Sequence, residues 1–303
     1  MLEITIWDVN HGSAAYIKTP NNRHGVVDLG DAEGFSPLQT LRNRGLTYLD
    51  FGIITHPHRD HLDDIFNFAL LPARTVNTPW HLSEAAIRKG NRATDSAHVD
   101  RYLQLRSGCT FPVIPTDDIA APTNYGGVEF QVFGSTLCED SNLNNHSLVV
   151  IVSYAGLKIV LPGDNEAPSW KELLNQNAFV TAIKGADVLL ASHHGRDAGY
   201  CGELFEAMGK PRLVVVSDGR FGDTSATDRY SKQASGWTVF DSSGSSETRY
   251  CVTTRCDGHI TIKCGFSDDP RYRNLLNVTT SKTDLNSRFA RHLGFQIPSG
   301  RSR

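Results

Sequence analysis

Nine residues constrain this chain more than any other stretch: Ile53-Ile54-Thr55-His56-Pro57-His58-Arg59-Asp60-His61. An apolar run of strand character empties into three histidines and an aspartate within six positions. Core packing gives no reason for that density of imidazole and carboxylate, whereas metal binding does. In an extended segment, residues two apart face the same side. His56 and His58 can therefore offer ring nitrogens to one ion, with Pro57 stiffening the backbone between them. Asp60 and His61 fall on the turn into the helix-like Leu62–Phe68, within reach of a second ion. Zinc accepts such ligands at about 2.0–2.2 Å, and a catalytic site keeps a position open for water. Two ions about 3.5–4 Å apart can share a bridging hydroxide and clamp a hydrolytic transition state.

His56-x-His58-x-Asp60-His61 resembles the signature of the metallo-β-lactamase fold superfamily. The segments Asp8-Val9-Asn10-His11-Gly12, Val26-Val27-Asp28-Leu29-Gly30, Asn144-Asn145-His146-Ser147, Leu161-Pro162-Gly163-Asp164 and Ser192-His193-His194-Gly195 are similar to the hydrolase domain of ComEC-type competence proteins, more than to true β-lactamases. The resemblance spans residues 1–264. It implies an α/β chain folded as a four-layer αββα sandwich with a helical insertion, working as a binuclear metal-dependent hydrolase. Such a signature is specific for fold and metal and says little about substrate.

The resemblance also implies roles for single residues. Asp28 would support the ligand loop, as an outer carboxylate orients ligating histidines; a plain turn aspartate is the other reading. The next ligand would arise near Asn144–Ser147. There, His146 has the chemistry to complete a three-histidine first site, or is an exposed loop histidine. Asp164, on a glycine-flexed turn after an apolar strand, can bridge two cations; otherwise it would cap the following helix, for which Ser169 is better placed. One of His193 and His194 closes the second site. His193 follows the strand Val188–Ser192 most directly, which leaves His194 to bind substrate or protonate a leaving group. The expected centre is two zinc ions, or manganese, on His56, His58 and His146, and on Asp60, His61 and His193, bridged by Asp164. Asp60, Asp164 and His194 are the expected catalytic residues. The fork of Arg196 suits an anionic substrate group. Ser231 stands where ComEC-like chains often carry a histidine, a departure that bears on substrate contacts.

A chain of 303 residues with net charge −3 has no global charge that advertises nucleic acid or an anionic membrane. No apolar run reaches the ~18–20 residues of a membrane span, and no leader precedes Leu2-Glu3-Ile4-Thr5-Ile6-Trp7, so a cytoplasmic protein without membrane contact is expected. Six cysteines without a C-x-x-C pair read as reduced, mostly buried thiols.

Strands are expected over 3–9, 14–18 and 25–29 as an antiparallel meander, then at 50–54, 128–133, 148–154, 158–162, 188–192, 213–217, 236–240 and 259–263. Ala155-Gly156 and Asp257-Gly258 signal hairpin turns. Ser36-Pro37 starts a helix. Residues 72–108 read as a helical insertion (82–89, 96–105) with six Lys or Arg against three acids, and 265–303 as a basic extension with seven Lys or Arg against three aspartates and a capped helix at 283–293. These two segments favour a nucleic acid or nucleotide substrate, and the tail can also dock a protein partner. The function expected is a phosphodiesterase or nuclease. The alternatives are a carbonyl hydrolase acting on lactone, lactam or thioester, and a metal-stabilised partner-binding subunit.

Overall fold

A computed structural model describes residues 1–109, 111–219, 225–269 and 274–282. Among the described residues, fifteen strands form two sheets. In chain order they are β1 (Leu2–Ile6), β2 (Ala15–Lys18), β3 (His24–Val27), β4 (Leu49–Ile53), β5 (Ala73–Asn77), β6 (Glu129–Phe133), β7 (Val149–Tyr154), β8 (Leu157–Leu161), β9 (Val188–Leu190), β10 (Leu213–Val216), β11 (Trp237–Phe240), β12 (Ser246–Arg249), β13 (Cys251–Thr253), β14 (Ile260–Phe266) and β15 (Asn274–Thr280). The first sheet has nine strands in the order β12-β11-β15-β14-β1-β2-β3-β4-β5, and the second has six, β13-β10-β9-β8-β7-β6. The helices are α1 (Pro37–Asn43), α2 (Ile65–Phe68), α3 (Glu84–Gly90), α4 (Ser96–Gly108), α5 (Ala167–Leu174), α6 (Asn177–Ile183), α7 (Gly202–Met208), α8 (Thr227–Gln233) and α9 (Thr254–Asp257).

Alternation in the strands dictates the layers. Leu2, Ile4 and Ile6 of β1 and Ile260 and Ile262 of β14 face Val150 and Val152 of β7, Ile159 of β8 and Val215 of β10 in one buried core between the sheets. The intervening residues face outward under helices. Trp7, Tyr16 and Val26 meet Leu38 and Leu41 of α1, Phe68 of α2 and Tyr102 of α4. Val149, Ile151 and Val214 meet Trp170, Phe179 and Phe205. The unbroken run Val149–Val152 therefore has a cause: a strand covered on both faces cannot alternate apolar with polar. The architecture is the expected αββα sandwich.

The antiparallel meander β1–β3 forms as expected, and β4 then joins β3 in parallel. Ala155 and Gly156, at φ 51° and 77°, make the tight β7–β8 turn. Ser36 caps α1 by accepting from Gln39 N. Four expectations need correction. Asp257-Gly258 makes no hairpin: β13 lies in the second sheet beside β10 and β14 in the first beside β1, so this link crosses between sheets. Glu166, and neither Asp164 nor Ser169, caps α5, in a reciprocal box with Ser169 at its third position. The body of the fold continues past residue 264, since β15 pairs with β14 along its whole length. Of the six cysteines, all free, only Cys264 is buried. The expected helix at 283–293 lies outside the described residues.

Residues 72–108 contribute β5 to the edge of the first sheet and two helices, α3 and α4, close to where the pattern puts them. Much of their basic charge is spent locally. Arg88 binds Glu84 and Asp100, Arg106 donates to the carbonyls of Trp80 and Leu82, and Arg74 stacks on Tyr48. Among the described residues, no helix is long and apolar enough to cross a membrane.

Candidate metal centre

The ligand-type residues gather where parallel strands end. β4 delivers His56, His58, Asp60 and His61; β8 delivers Asp164; β9 delivers His193 and His194; β10 delivers Ser217. Both sheets thus contribute to one site at their C-terminal edges, where α/β sheets place sites. Asp60, His61, Asp164 and His194 present ligand atoms all within 4.8 Å of one another.

Backbone geometry explains how the loops hold. Gly163 sits at φ 60°, and a Cβ there would come within 2.9 Å of Ser147 and Thr55, so only glycine allows Asp164 to turn inward this tightly. Asp28, itself left-handed at φ 61°, accepts from Thr55 N (2.7 Å) and Thr55 Oγ1 (2.9 Å) through Oδ1, and from His61 Nδ1 through Oδ2 (2.8 Å). This is the supporting position that the sequence resemblance implies for Asp28.

Hydrogen bonds fix the tautomers. A carboxylate can only accept, so His61 carries its proton on Nδ1 and aims a lone pair from Nε2. His194 Nδ1 must donate to the Ser217 carbonyl (2.9 Å), so its Nε2 is likewise a lone pair. These two Nε2 atoms face each other at 3.4 Å. His61 Nε2 lies 3.3 Å from Asp164 Oδ1, and His194 Nε2 lies 3.4 Å from Asp164 Oδ2 and 3.3 Å from Asp60 Oδ2. Four acceptors therefore converge in a buried space with no proton assigned between them, which is the signature of a cation site. Beside it, His56 Nε2 and His58 Nδ1 approach to 3.1 Å, and His56 Nε2 stands 3.9 Å from Asp164 Oδ2. The Asp164 carboxylate lies between the two groups.

The electrostatics agree. Burial alone would push His61 and His194 down, yet Asp164 and its neighbouring carboxylates overcome it, raising His61 well above its ordinary value and His194 to about 10. Burial would raise Asp60 and Asp164, but the adjacent imidazoles hold both well below the carboxylate range. The site demands positive charge. His56, by contrast, is held well down by burial and by His61.

Two of the expected ligands lie outside this group of four. His194, and not His193, stands in the cluster. The chain passes through two consecutive left-handed residues, φ 51° and 54°, which swing the neighbouring rings apart. His193 Nδ1 lies 3.1 Å from Glu166 Oε1, and its Nε2 accepts from Arg196 (3.1 Å) while standing 3.9 Å from Asp164 Oδ2, at the edge of the group. His146 is also away from the cluster, buried in a pair with His81 (Nδ1 to Nε2, 2.9 Å) and against the Glu139 carbonyl. Its place beside His58 is taken by Asn144. That amide donates to Glu166 Oε1 (3.0 Å) while its own Oδ1 is buried without a partner. Sequence reasoning missed Asn144, although it belongs to the quoted Asn144–Ser147 segment. His11 was missed as well: its Nε2 lies 3.5 Å from Asp60, and its ring packs on His194 at 4.7 Å.

The centre opens into a cleft of about 590 Å³ lined by His11, His58, Arg59, Arg92, Asn144 and Arg196 among others.

No family model matches the chain. It is 23% identical over 236 residues to ComE operon protein 3 of Bacillus subtilis (strain 168), an alignment that takes in 72% of this chain and spans only 28% of that protein. Among solved structures it is similar to the metallo-β-lactamase fold protein YhfI of Bacillus subtilis, at 15% identity and a TM-score of 0.39 over 75% of this chain and 90% of that one. It is also similar to the short form of human tRNase Z, at 12% identity and a TM-score of 0.37 over 73% and 94%. The chain itself has two facing sheets, helices outside, and ligand loops at the shared edge.

Proposed function

We propose that this chain is a binuclear metal-dependent phosphodiesterase or nuclease acting on nucleic acid or a nucleotide. The observation that carries the reading is the convergence of imidazole nitrogens and carboxylates at a cleft that Arg92 and Arg196 also line. His61, His194 and Asp60 would hold one divalent cation and His56, His58 and Asn144 the other, with Asp164 between them. Zinc or manganese in those positions would activate water at neutral pH and polarise a phosphoryl oxygen.

The remaining work falls to the chain. Asp28 and the Ser217 carbonyl hold the His61 and His194 lone pairs inward. Asp60, kept ionised by His61 and His194, can accept a hydrogen bond from the incoming water and orient it. Arg92 and Arg196, the cleft arginines that no aspartate pairs among the described residues, support an anionic substrate over a neutral lactone or lactam.

The test is elemental analysis of untagged protein beside cleavage assays on single-stranded DNA, duplex DNA, RNA and bis(4-nitrophenyl) phosphate with zinc or manganese. Close to two metals per chain, with cleavage that Asp164→Ala abolishes, is the expected result. Metal-loaded protein that spares every phosphodiester but opens lactones or thioesters would replace this reading with a carbonyl hydrolase.

A further inference from the structure

Three arginines line the cleft, and they differ in one respect. Arg59 is neutralised by Asp63 (2.9 Å) and Asp95 (3.4 Å). Arg92 stands exposed at the rim. Arg196 is half-buried, and among the described residues its guanidinium meets imidazoles in place of carboxylates. Its Nη1 donates to His193 Nε2 (3.1 Å) and its Nη2 to His11 Nε2 (3.2 Å), while Nε is buried without a partner. A guanidinium is permanently charged and has no acceptor atom, so each ring meets it with a lone pair. Neutral rings orient that charge without cancelling it. Beyond it, His193 Nδ1 lies 3.1 Å from Glu166 Oε1 without hydrogen-bond alignment, and Glu166 is itself fixed by Asn142 (2.8 Å) and Asn144 (3.0 Å). A half-buried cation held by two imidazoles at the mouth of the centre, with its charge left over, is built to receive an anion.

We propose that Arg196, aimed by His193 and His11, binds an anionic oxygen of a phosphoryl group in this cleft. The inference rests on the phosphodiester reading above and deepens it: Arg196 is the substrate-binding residue, and His11, His193 and Glu166 are positioning residues. The guanidinium meets ground state and transition state alike, so its loss should appear in KM more than in kcat.

The experiment pairs kinetics on bis(4-nitrophenyl) phosphate with calorimetric titration of metal-loaded protein by inorganic phosphate. Arg196→Gln is expected to retain its metals, to raise KM and weaken phosphate binding by about tenfold to a hundredfold, and to leave kcat within about threefold. Arg196→Lys should recover part of the loss. His193→Ala, which spares the guanidinium but cuts its tether, should raise KM severalfold, and it decides the matter if the Arg196 variants do not fold. Unchanged KM and phosphate affinity in Arg196→Gln, or in His193→Ala should the former fail to fold, would overturn the proposal, as would wild-type protein that binds no phosphate. Should the wild type bind phosphate yet cleave no phosphodiester, the function proposed above fails while the titration still judges Arg196.

Discussion

Replacing Asp28 by asparagine isolates what a single outer carboxylate contributes to the centre. Asparagine tolerates the left-handed backbone that Asp28 adopts at φ 61°, so the substitution adds little conformational strain. The conflict is in the hydrogen bonds. With its oxygen toward Thr55 N, where 2.7 Å separates donor and acceptor, the amide must present N–H to His61 Nδ1 at 2.8 Å. His61 then moves its proton to Nε2, which points at Asp164, and loses the lone pair the cation needs. With the amide flipped, two donors meet at Thr55 instead. Either arrangement costs about tenfold to a hundredfold in metal affinity, or about 1.4–2.8 kcal/mol. Competition against a chromophoric chelator measures it directly, with circular dichroism to check the fold. A folded Asp28→Asn protein binding metal within about threefold of wild type would refute the tautomer argument.

Chelation should lower the melting temperature, because ligands drawn from several strand ends tie folding to the metal; an unshifted melting curve would count against the ligand set. Alongside His61, His194 carries the pH dependence of the chelated protein above neutrality. Its folded pKa of about 10 lies above the ordinary 6.5, so its contribution is complete below pH 6.5 and is lost as pH rises towards 10. Melting temperatures of apo protein should therefore fall across that window while those of the loaded protein fall less, and parallel curves would contradict this. Asn144→Ala should bring metal content from close to two ions towards one, whereas His146→Ala should leave it intact and cost about 1–3 kcal/mol by stranding His81. The reverse pattern in elemental analysis would restore His146 to the centre. Gly163→Ala should cost roughly 1–2 kcal/mol or more for a left-handed alanine pressed on Thr55 and Ser147, read by denaturant unfolding.

The layers and strand order were legible because period-two alternation and both-faces burial leave direct marks, as in Val149–Val152. The His56–His61 loop was legible because ligand density has no other cause. What escaped was decided by backbone angle and by competition between partners. Nothing in the letters His193-His194 says that two left-handed residues will turn the second ring to the cluster and the first to Glu166. The placement of His146 turned on His81, 65 residues away, whose pairing has no periodic signal. Residues 257–258 look like a hairpin because turn chemistry is local, while the choice between sheets is made by β13 finding β10.

Because β4 belongs to one sheet and β8, β9 and β10 to the other, an ion bound at this edge would act as a suture across the sandwich. The sheets otherwise meet through apolar side chains, which resist separation but oppose sliding only weakly. A bound cation would add the missing shear stiffness, and in return its ligands would register any slip between the layers. Residues deep between the sheets, such as Ile4 or Val215, would then act as spacers whose volume sets how well the two halves of the centre meet.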